Sequence, residues 1–385
     1  MKVYICVDAE FPRSNASANY VEYLGKAIRE KNTDVFILGL TQSKETKWVS
    51  YQGLEYLNLY YPVSNKIETL KSRIDIGQKM ADAIESKGIN KGDVIICYSE
   101  NYFLLRHIWR FARKKQIKVV NCIVEWHTVD QYKYGYFDIF NYWYNRMAFA
   151  FGIGISKNVI AISQKLESHF KRKGCNVLRL PILADPFEFP YCKEKQSDKI
   201  RIIYSGTFQK KDAMDVMLQA FQKLTDEELG RVEFHITGSS KEQLLSAVDF
   251  KGLEWKRLEN SIIVHKWLDY EELVKLFEKM HYGLIAKYPN RVTQSNFPSK
   301  VPEMMCYGII PIMTNVGDCP TMYLEDGKDS ILFEHCTVEE CWQAIKRAIM
   351  ISENDRCRMQ EYARKNVETV FYYKLWSDRI VDFIS

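Results

Sequence analysis

Short apolar runs alternate along this chain with amphipathic stretches of helical length, and the alternation breaks once and then restarts. Runs at Val3–Val7, Asp34–Leu38, Val94–Tyr98, Val119–Val124, Val159–Ile162 and Val177–Leu180 read as strands. Helical stretches at Tyr20–Lys31, Ile74–Ser86 and Tyr102–Lys115 lie between several of them. Strand-sized runs separated by amphipathic helices predict parallel βαβ units in a doubly wound α/β sheet.

The break falls at Pro181-Ile-Leu-Ala-Asp-Pro-Phe-Glu-Phe-Pro190, followed by the polar run Lys193–Lys199. Prolines at this density punctuate a chain and mark a linker. Strand runs then resume at Ile200–Tyr204, Val232–Thr237, Ile262–Val264, Tyr282–Ala286, Ile309–Met313 and Ile331–Phe333, with helices at Met214–Leu224, Tyr270–Met280 and Val338–Met350. A length of 385 residues also favours more than one core. The expected organisation is two Rossmann-like domains, 1–185 and 186–370, facing across a cleft.

Composition narrows the class. Hydrophobic residues at 46% and charged residues at 27% suit a globular protein. No apolar run approaches the roughly 20 residues of a membrane span. The start MKVYICVDAE reaches charge at Asp8 too early for a secretory signal, so a cytoplasmic protein is expected. The ten cysteines show no C-x-x-C spacing, and Cys6, Cys97 and Cys122 lie in apolar runs. Buried reduced thiols fit them better than disulfides or zinc ligands. The histidines are dispersed and no D-x-D pair ends a strand, so no metal site and no bound cofactor are expected.

Three segments could carry chemistry. Tyr204-Ser-Gly-Thr-Phe-Gln-Lys-Lys-Asp-Ala213 follows a strand and precedes a helix. Gly206 permits a tight turn there, with Lys210 and Lys211 near a helix N-terminus that suits a diphosphate. The same segment also reads as a surface turn with solvated lysines. In Asn290–Met313, Pro298 and Pro302 pin a helix start near Ser299–Val301, and Gly308 suits its C-terminal end. Glu303 then lies in the opening turns. It either complements the helix dipole, worth about 0.3–1 kcal/mol, or accepts from vicinal ribose hydroxyls. Val124-Glu-Trp-His-Thr128 ends a strand of the first half, where Glu125 and His127 can meet a ligand or serve structure alone. The long loop Asp8–Asn19, containing Asn15, lies at the same edge.

Taken together these segments resemble the retaining family-4 glycosyltransferases of GT-B fold. The likeness is clearest at Ile200–Phe221, His265–Phe277 and Tyr282–Leu332, where Pro298-Ser-Lys-Val-Pro-Glu-Met-Met-Cys-Tyr-Gly308 resembles the donor-binding helix. Asn158–Ser163 and Leu178–Asp185 match the strands closing the first domain. The resemblance implies that the last helix, within 371–385, packs back on that domain. It implies that Glu303, as the second glutamate of an E-x7-E motif, contacts the donor ribose. The first glutamate falls at Ser295, and the family's diphosphate-binding arginine and lysine fall at Thr207 and on or beside Lys211. Ser14-Asn-Ala-Ser-Ala-Asn19 replaces the family's glycine-rich first loop, while Arg291 and Lys300 are candidates for the missing phosphate contacts.

By the same resemblance the donor is a UDP- or GDP-linked sugar. Transfer proceeds on one face with retention, and Lys210 or Lys211, Arg291 or Lys300, Ser299 and helix N–H groups stabilise the leaving diphosphate. His127 reaches the transferred sugar, and Glu100 or Glu125 lies near a glycan or lipid-linked acceptor. A non-catalytic GT-B subunit and a nucleotide-sugar epimerase of similar fold stand as alternatives. The basic helix with Arg106, Arg110, Arg113, Lys114 and Lys115, beside the aromatic stretch 132–151, reads in two ways. It is a solvated helix next to core aromatics, or a patch that meets the anionic inner membrane face. Nucleic acid is not expected, since no recognition motif accompanies the charge.

Overall fold

The computed structural model describes residues 1–13, 15–63, 65–129, 136–191, 195, 197–206, 212–247 and 253–385. The chain divides into two units, Met1–Leu183 with Tyr373–Ser385, and Ala184–Tyr372.

The first unit contains β1 (Lys2–Val7), β2 (Asp34–Thr41), β3 (Val49–Tyr51), β4 (Leu54–Tyr60), β5 (Val94–Tyr98), β6 (Lys118–Ile123), β7 (Asn158–Ala161) and β8 (Asn176–Arg179). They form one sheet in the order β3-β4-β2-β1-β5-β6-β7-β8, parallel except for the β3–β4 pair. From β1 the chain winds outward through β2 to β4, then returns to β5 on the other side of β1. The gap between the carboxyl ends of β1 and β5 is therefore the topological switch point, where open α/β sheets bind ligands.

The second unit repeats the logic with β9 (Ile200–Ser205), β10 (Val232–Thr237), β11 (Ile262–Val264), β12 (Tyr282–Ile285), β13 (Ile310–Thr314) and β14 (Ile331–Phe333). Their order is β11-β10-β9-β12-β13-β14 and every pair is parallel. The switch point falls between β9 and β12. Its core is continuous across the sheet, with Phe221 of the helix Met214–Gln222 stacked on Phe234 of β10 at 4.5 Å between ring centroids.

The sequence reading did not include the β3–β4 hairpin, although Leu54-Glu-Tyr-Leu-Asn-Leu-Tyr60 carries the alternation of a half-buried strand next to the sheet edge. The helix expected at Ile74–Ser86 is longer, Lys66–Ser86, with Asn65 capping it by accepting from the Glu68 N–H at 2.9 Å. Its first turns carry apolar side chains on the outside, so periodicity alone did not place them against a core. The C-terminal helix Ser377–Ile384 packs on the first unit, where the Lys118 Nζ donates to the Phe383 and Ser385 carbonyls at 2.8 and 2.6 Å. None of the cysteines among the described residues forms a disulfide.

Buried histidines make this fold sensitive to acid. His281 is 1% exposed, accepts from the Arg201 N–H through Nδ1 at 2.9 Å and donates from Nε2 to the Lys195 carbonyl at 3.1 Å. Burial, with the Arg356 charge behind it, lowers this imidazole to about 4. Burial and the neighbouring His265 lower His235 likewise to about 4. A folded value below the unfolded value of about 6.5 means full stabilisation above that pH and loss as pH falls toward 4. The contribution of these two histidines is thus expected to be constant above neutrality and to fall between about pH 6.5 and 4, by up to about 1.4 kcal/mol per pH unit per histidine. Denaturant melts across that range, with His281→Gln showing a shallower slope, check it; an unchanged slope refutes the assignment to His281.

Candidate functional site

In the second unit the switch point is framed by two loops. The chain leaves β9 at Ser205–Gly206 and re-enters the described residues at Asp212, which accepts from the Tyr204 hydroxyl at 3.1 Å. The helix Met214–Gln222 starts there, so the strand–loop–helix reading of this segment stands. Thr207, Lys210 and Lys211 lie outside the described residues.

The other loop follows β12 and is locked by its own side chains. Asn290 Oδ1 accepts from the N–H groups of Val292 and Thr293 at 2.9 and 3.0 Å, and the Thr293 hydroxyl donates to the Tyr288 carbonyl at 2.7 Å. Such a turn is an Asx motif that holds the backbone without a regular element. Arg291 stands exposed on it. Ser295 is fully buried, and its hydroxyl donates to the Val292 carbonyl at 3.0 Å. The position that matches the family's first glutamate therefore serves the turn's interior. Phe297 anchors the end of the loop against Tyr323 and Phe371, with ring centroids 5.8 and 5.9 Å away.

The helix Lys300–Cys306 then begins where the prolines place it, with Pro302 in its first turn. Ser299 is the N-cap residue but makes no side-chain cap. Glu303 is 17% exposed at its side chain and accepts from the Lys300 Nζ at 2.9 Å. The helix ends in a Schellman motif: the N–H of Gly308 bonds the Met305 carbonyl at 2.9 Å, and that of Ile309 bonds Met304 at 3.1 Å. Gly308 has φ +68°, as the motif requires.

Two features of this edge escaped the sequence reading. Gly317, in the loop after β13, has φ +81°, and a Cβ there would lie 2.8 Å from the Thr293 carbonyl oxygen. The loops after β12 and β13 thus touch, and only glycine lets them. Lys287, 7% exposed and just beyond β12, forms an isolated antiparallel backbone bridge with Asp212 across the switch point. Its own N–H donates to the Thr314 hydroxyl at 2.7 Å.

In the first unit a polar relay spans the switch point. Asp8, at the end of β1, accepts through Oδ2 from the Ser99 hydroxyl at 2.5 Å and the Glu100 N–H at 3.2 Å. The Glu100 carboxylate in turn meets His127 Nε2 at 2.6 Å, with both side chains partly buried. Solvent reaches Asp8, yet desolvation by surrounding protein outweighs its hydrogen bonds and raises the carboxyl to about 6. His127 and Glu100 are thus brought together, and Asp8 joins them. Spacing could not show this, because these residues are joined only through pairing of β1, β5 and β6. Glu125 is partly buried on the loop after β6. Asn15 caps the helix Ala16–Arg29, its Oδ1 accepting from the Ser17 and Ala18 N–H groups at 2.9 and 3.1 Å. That carbonyl is therefore committed to the helix.

Two α/β sheets, parallel but for the β3–β4 pair and each wound outward from a central switch point, constitute the GT-B class of fold. Solved structures resemble the chain over its full length. Sucrose-phosphate synthase from Thermosynechococcus elongatus matches at a TM-score of 0.74 and 14% identity, covering 99% of this chain and 97% of that one. WaaG, a glycosyltransferase involved in lipopolysaccharide biosynthesis, matches at 0.68 and 12%, covering 100% and 99%. The E. coli trehalose-6-phosphate protein bound with UDP-2-fluoro glucose matches at 0.68 and 10%, with the same coverage. A search of curated proteins by sequence found no match. Residues 199–350, within the second unit, match the family Glycosyl transferases group 1.

Proposed function

We propose that the chain is a retaining, metal-independent glycosyltransferase. In this reading it moves a sugar from a UDP- or GDP-linked donor to a glycan or lipid-linked acceptor, in polysaccharide or glycoconjugate assembly. The observation that carries the reading is Glu303, partly buried in the first turn of a helix that follows a locked loop inside the matched family region. A carboxylate held there can accept from both hydroxyls of a ribose. The UDP-sugar in the trehalose-6-phosphate neighbour supports a nucleotide-sugar donor.

In this reading Gly206, Thr207, Lys210, Lys211, Arg291, Ser299 and Lys300 receive the diphosphate, while His127, Glu100 and Glu125 serve the sugar and acceptor, and Asn15, whose Oδ1 caps its helix, contributes through its side-chain N–H groups alone. Charge fixed in advance of the reaction stabilises the leaving diphosphate without reorganisation. Among the described residues no cluster of His, Cys, Asp and Glu has the arrangement of a metal site. We expect turnover to persist in excess EDTA. Release of UDP or GDP from candidate donors, with and without chelator, checks it; complete loss restored by Mg²⁺ or Mn²⁺ refutes metal independence. Product anomers read by NMR test retention.

The buried Ser295 favours a second reading, a non-catalytic subunit that binds a nucleotide-sugar for a partner. Nucleotide binding without turnover of any donor would support it. An altered sugar released without an acceptor would instead indicate an epimerase.

A further inference from the structure

We propose that Arg73 of the first unit receives an oxyanion, a carboxylate or a phosphate, carried by the acceptor. That the anion belongs to an acceptor rests on the glycosyltransferase reading; the anion site itself stands without it.

Arg73 lies on the helix Lys66–Ser86, where that helix meets the carboxyl edge of the sheet. Its carbonyl accepts from Asn101 Nδ2 at 3.0 Å. Asn101 follows β5 and caps the helix Tyr102–Lys115, its Oδ1 accepting from the Leu104 N–H at 3.1 Å. The guanidinium is held by side chains of other elements. Its Nη1 donates to Asn141 Oδ1 at 2.9 Å, on the helix Tyr136–Met147, and its carbon lies 5.1 Å from the Tyr144 ring centroid. The Tyr61 hydroxyl, just beyond β4, bonds it as well. Tyr144 is fixed in turn, because its hydroxyl donates to Asn101 Oδ1.

All of these partners are neutral. Among the described residues Arg73 forms no ion pair, although acids stand at the same edge. Asp8 is close enough to act electrostatically on both Tyr61 and Tyr144, but its Oδ2 is taken by Ser99 and the Glu100 N–H. Glu100 is engaged by His127. On the helix itself Asp75 is exposed, and residues two apart do not share a face.

A partly buried charge without a counter-ion is costly to keep. A purely structural tie to Asn141 needs only a neutral donor, which glutamine supplies, so the charge calls for another role. Two neutral oxygens occupy few of the five guanidinium N–H groups. What remains is a planar fork, already oriented, that suits two oxygens of one anion. Little side-chain freedom is left to lose when that anion binds.

Titration calorimetry of the full chain with glucuronate, glucose 6-phosphate and glucose tests the site. Wild type is expected to bind a charged probe at least about tenfold more tightly than glucose. Preference for the phosphate indicates a phosphorylated acceptor, and preference for glucuronate a uronic acid. Arg73→Gln should weaken the charged probe by about ten- to a hundredfold and leave glucose unchanged. Arg73→Lys, with the charge but not the fork, should fall between. A merely structural arginine predicts lower melting temperatures with the charged-to-neutral ratio unchanged. Should Arg73→Gln fail to fold, Tyr61→Phe is expected to lower the same ratio several-fold.

Equal affinity of wild type for all the probes overturns the proposal. So does failure of both charged probes to bind, or an unchanged ratio in a folded Arg73→Gln. Displacement of the charged probe by UDP or GDP would assign Arg73 to the donor and overturn the acceptor assignment. Glu303→Ala should leave the ratio as it is. A chain that binds charged sugars through Arg73 yet turns over no donor loses the glycosyltransferase reading and keeps the anion site.

Discussion

Replacing Glu303 with alanine is expected to weaken nucleoside diphosphate binding by about ten- to a hundredfold while leaving the fold nearly as stable as before. A hydrogen bond to a charged group contributes about 1.5–3 kcal/mol, and each 1.4 kcal/mol is about a factor of ten in affinity. Glu303 is partly buried, so water replaces it poorly as a partner for ribose. Its pairing with Lys300 adds little to stability, because the lysine is 33% exposed and can be rehydrated. Glu303→Gln retains the shape but not the charge and should fall between wild type and alanine. Titration calorimetry with UDP and GDP, beside melting curves for each variant, measures both effects. Unchanged affinity in a well-folded Glu303→Ala would sink the donor-site assignment. A parallel loss of melting temperature would recast Glu303 as structural.

The second large effect is on stability. Phe234→Ala should destabilise the second unit by about 3–5 kcal/mol, the cost of a large cavity in a packed core. Phe234 and Phe221 are both fully buried, with rings 10° from parallel. Removing one ring leaves the other facing a void, because the sheet and the helix Met214–Gln222 are held by further contacts and cannot close on it. A domain has only about 5–15 kcal/mol to lose, so the variant should sit close to its unfolding threshold. Urea denaturation followed by probes in each unit separates their transitions, since a chain of two units need not unfold in one step. The first unit's midpoint should not move. A loss below about 1 kcal/mol would mean that this core repacks around the gap.

Much of the second unit was legible before any coordinates. Val338–Met350 coincides with its helix, and the helix after Pro298 starts and stops where proline and glycine chemistry predicts. Such features are local: a periodicity, a missing N–H, a residue that tolerates positive φ. They rest on bonds within a few residues, which is the range that a sequence window covers.

The sites depended on longer reach. That Asp8, Ser99, Glu100 and His127 join in one relay follows from β1 pairing with β5 and β5 with β6, across separations no local pattern encodes. That Ser295 points into its own turn, and that Gly317 meets Thr293, are consequences of two loops packing together. Ile67, Leu70 and Ile74 show the limit most plainly. Their spacing is that of a core-facing stripe, and only the packed helix reveals that a different stripe faces the core. Amphipathic spacing marks which side chains share a face, but what covers that face is decided by the neighbours that tertiary packing supplies.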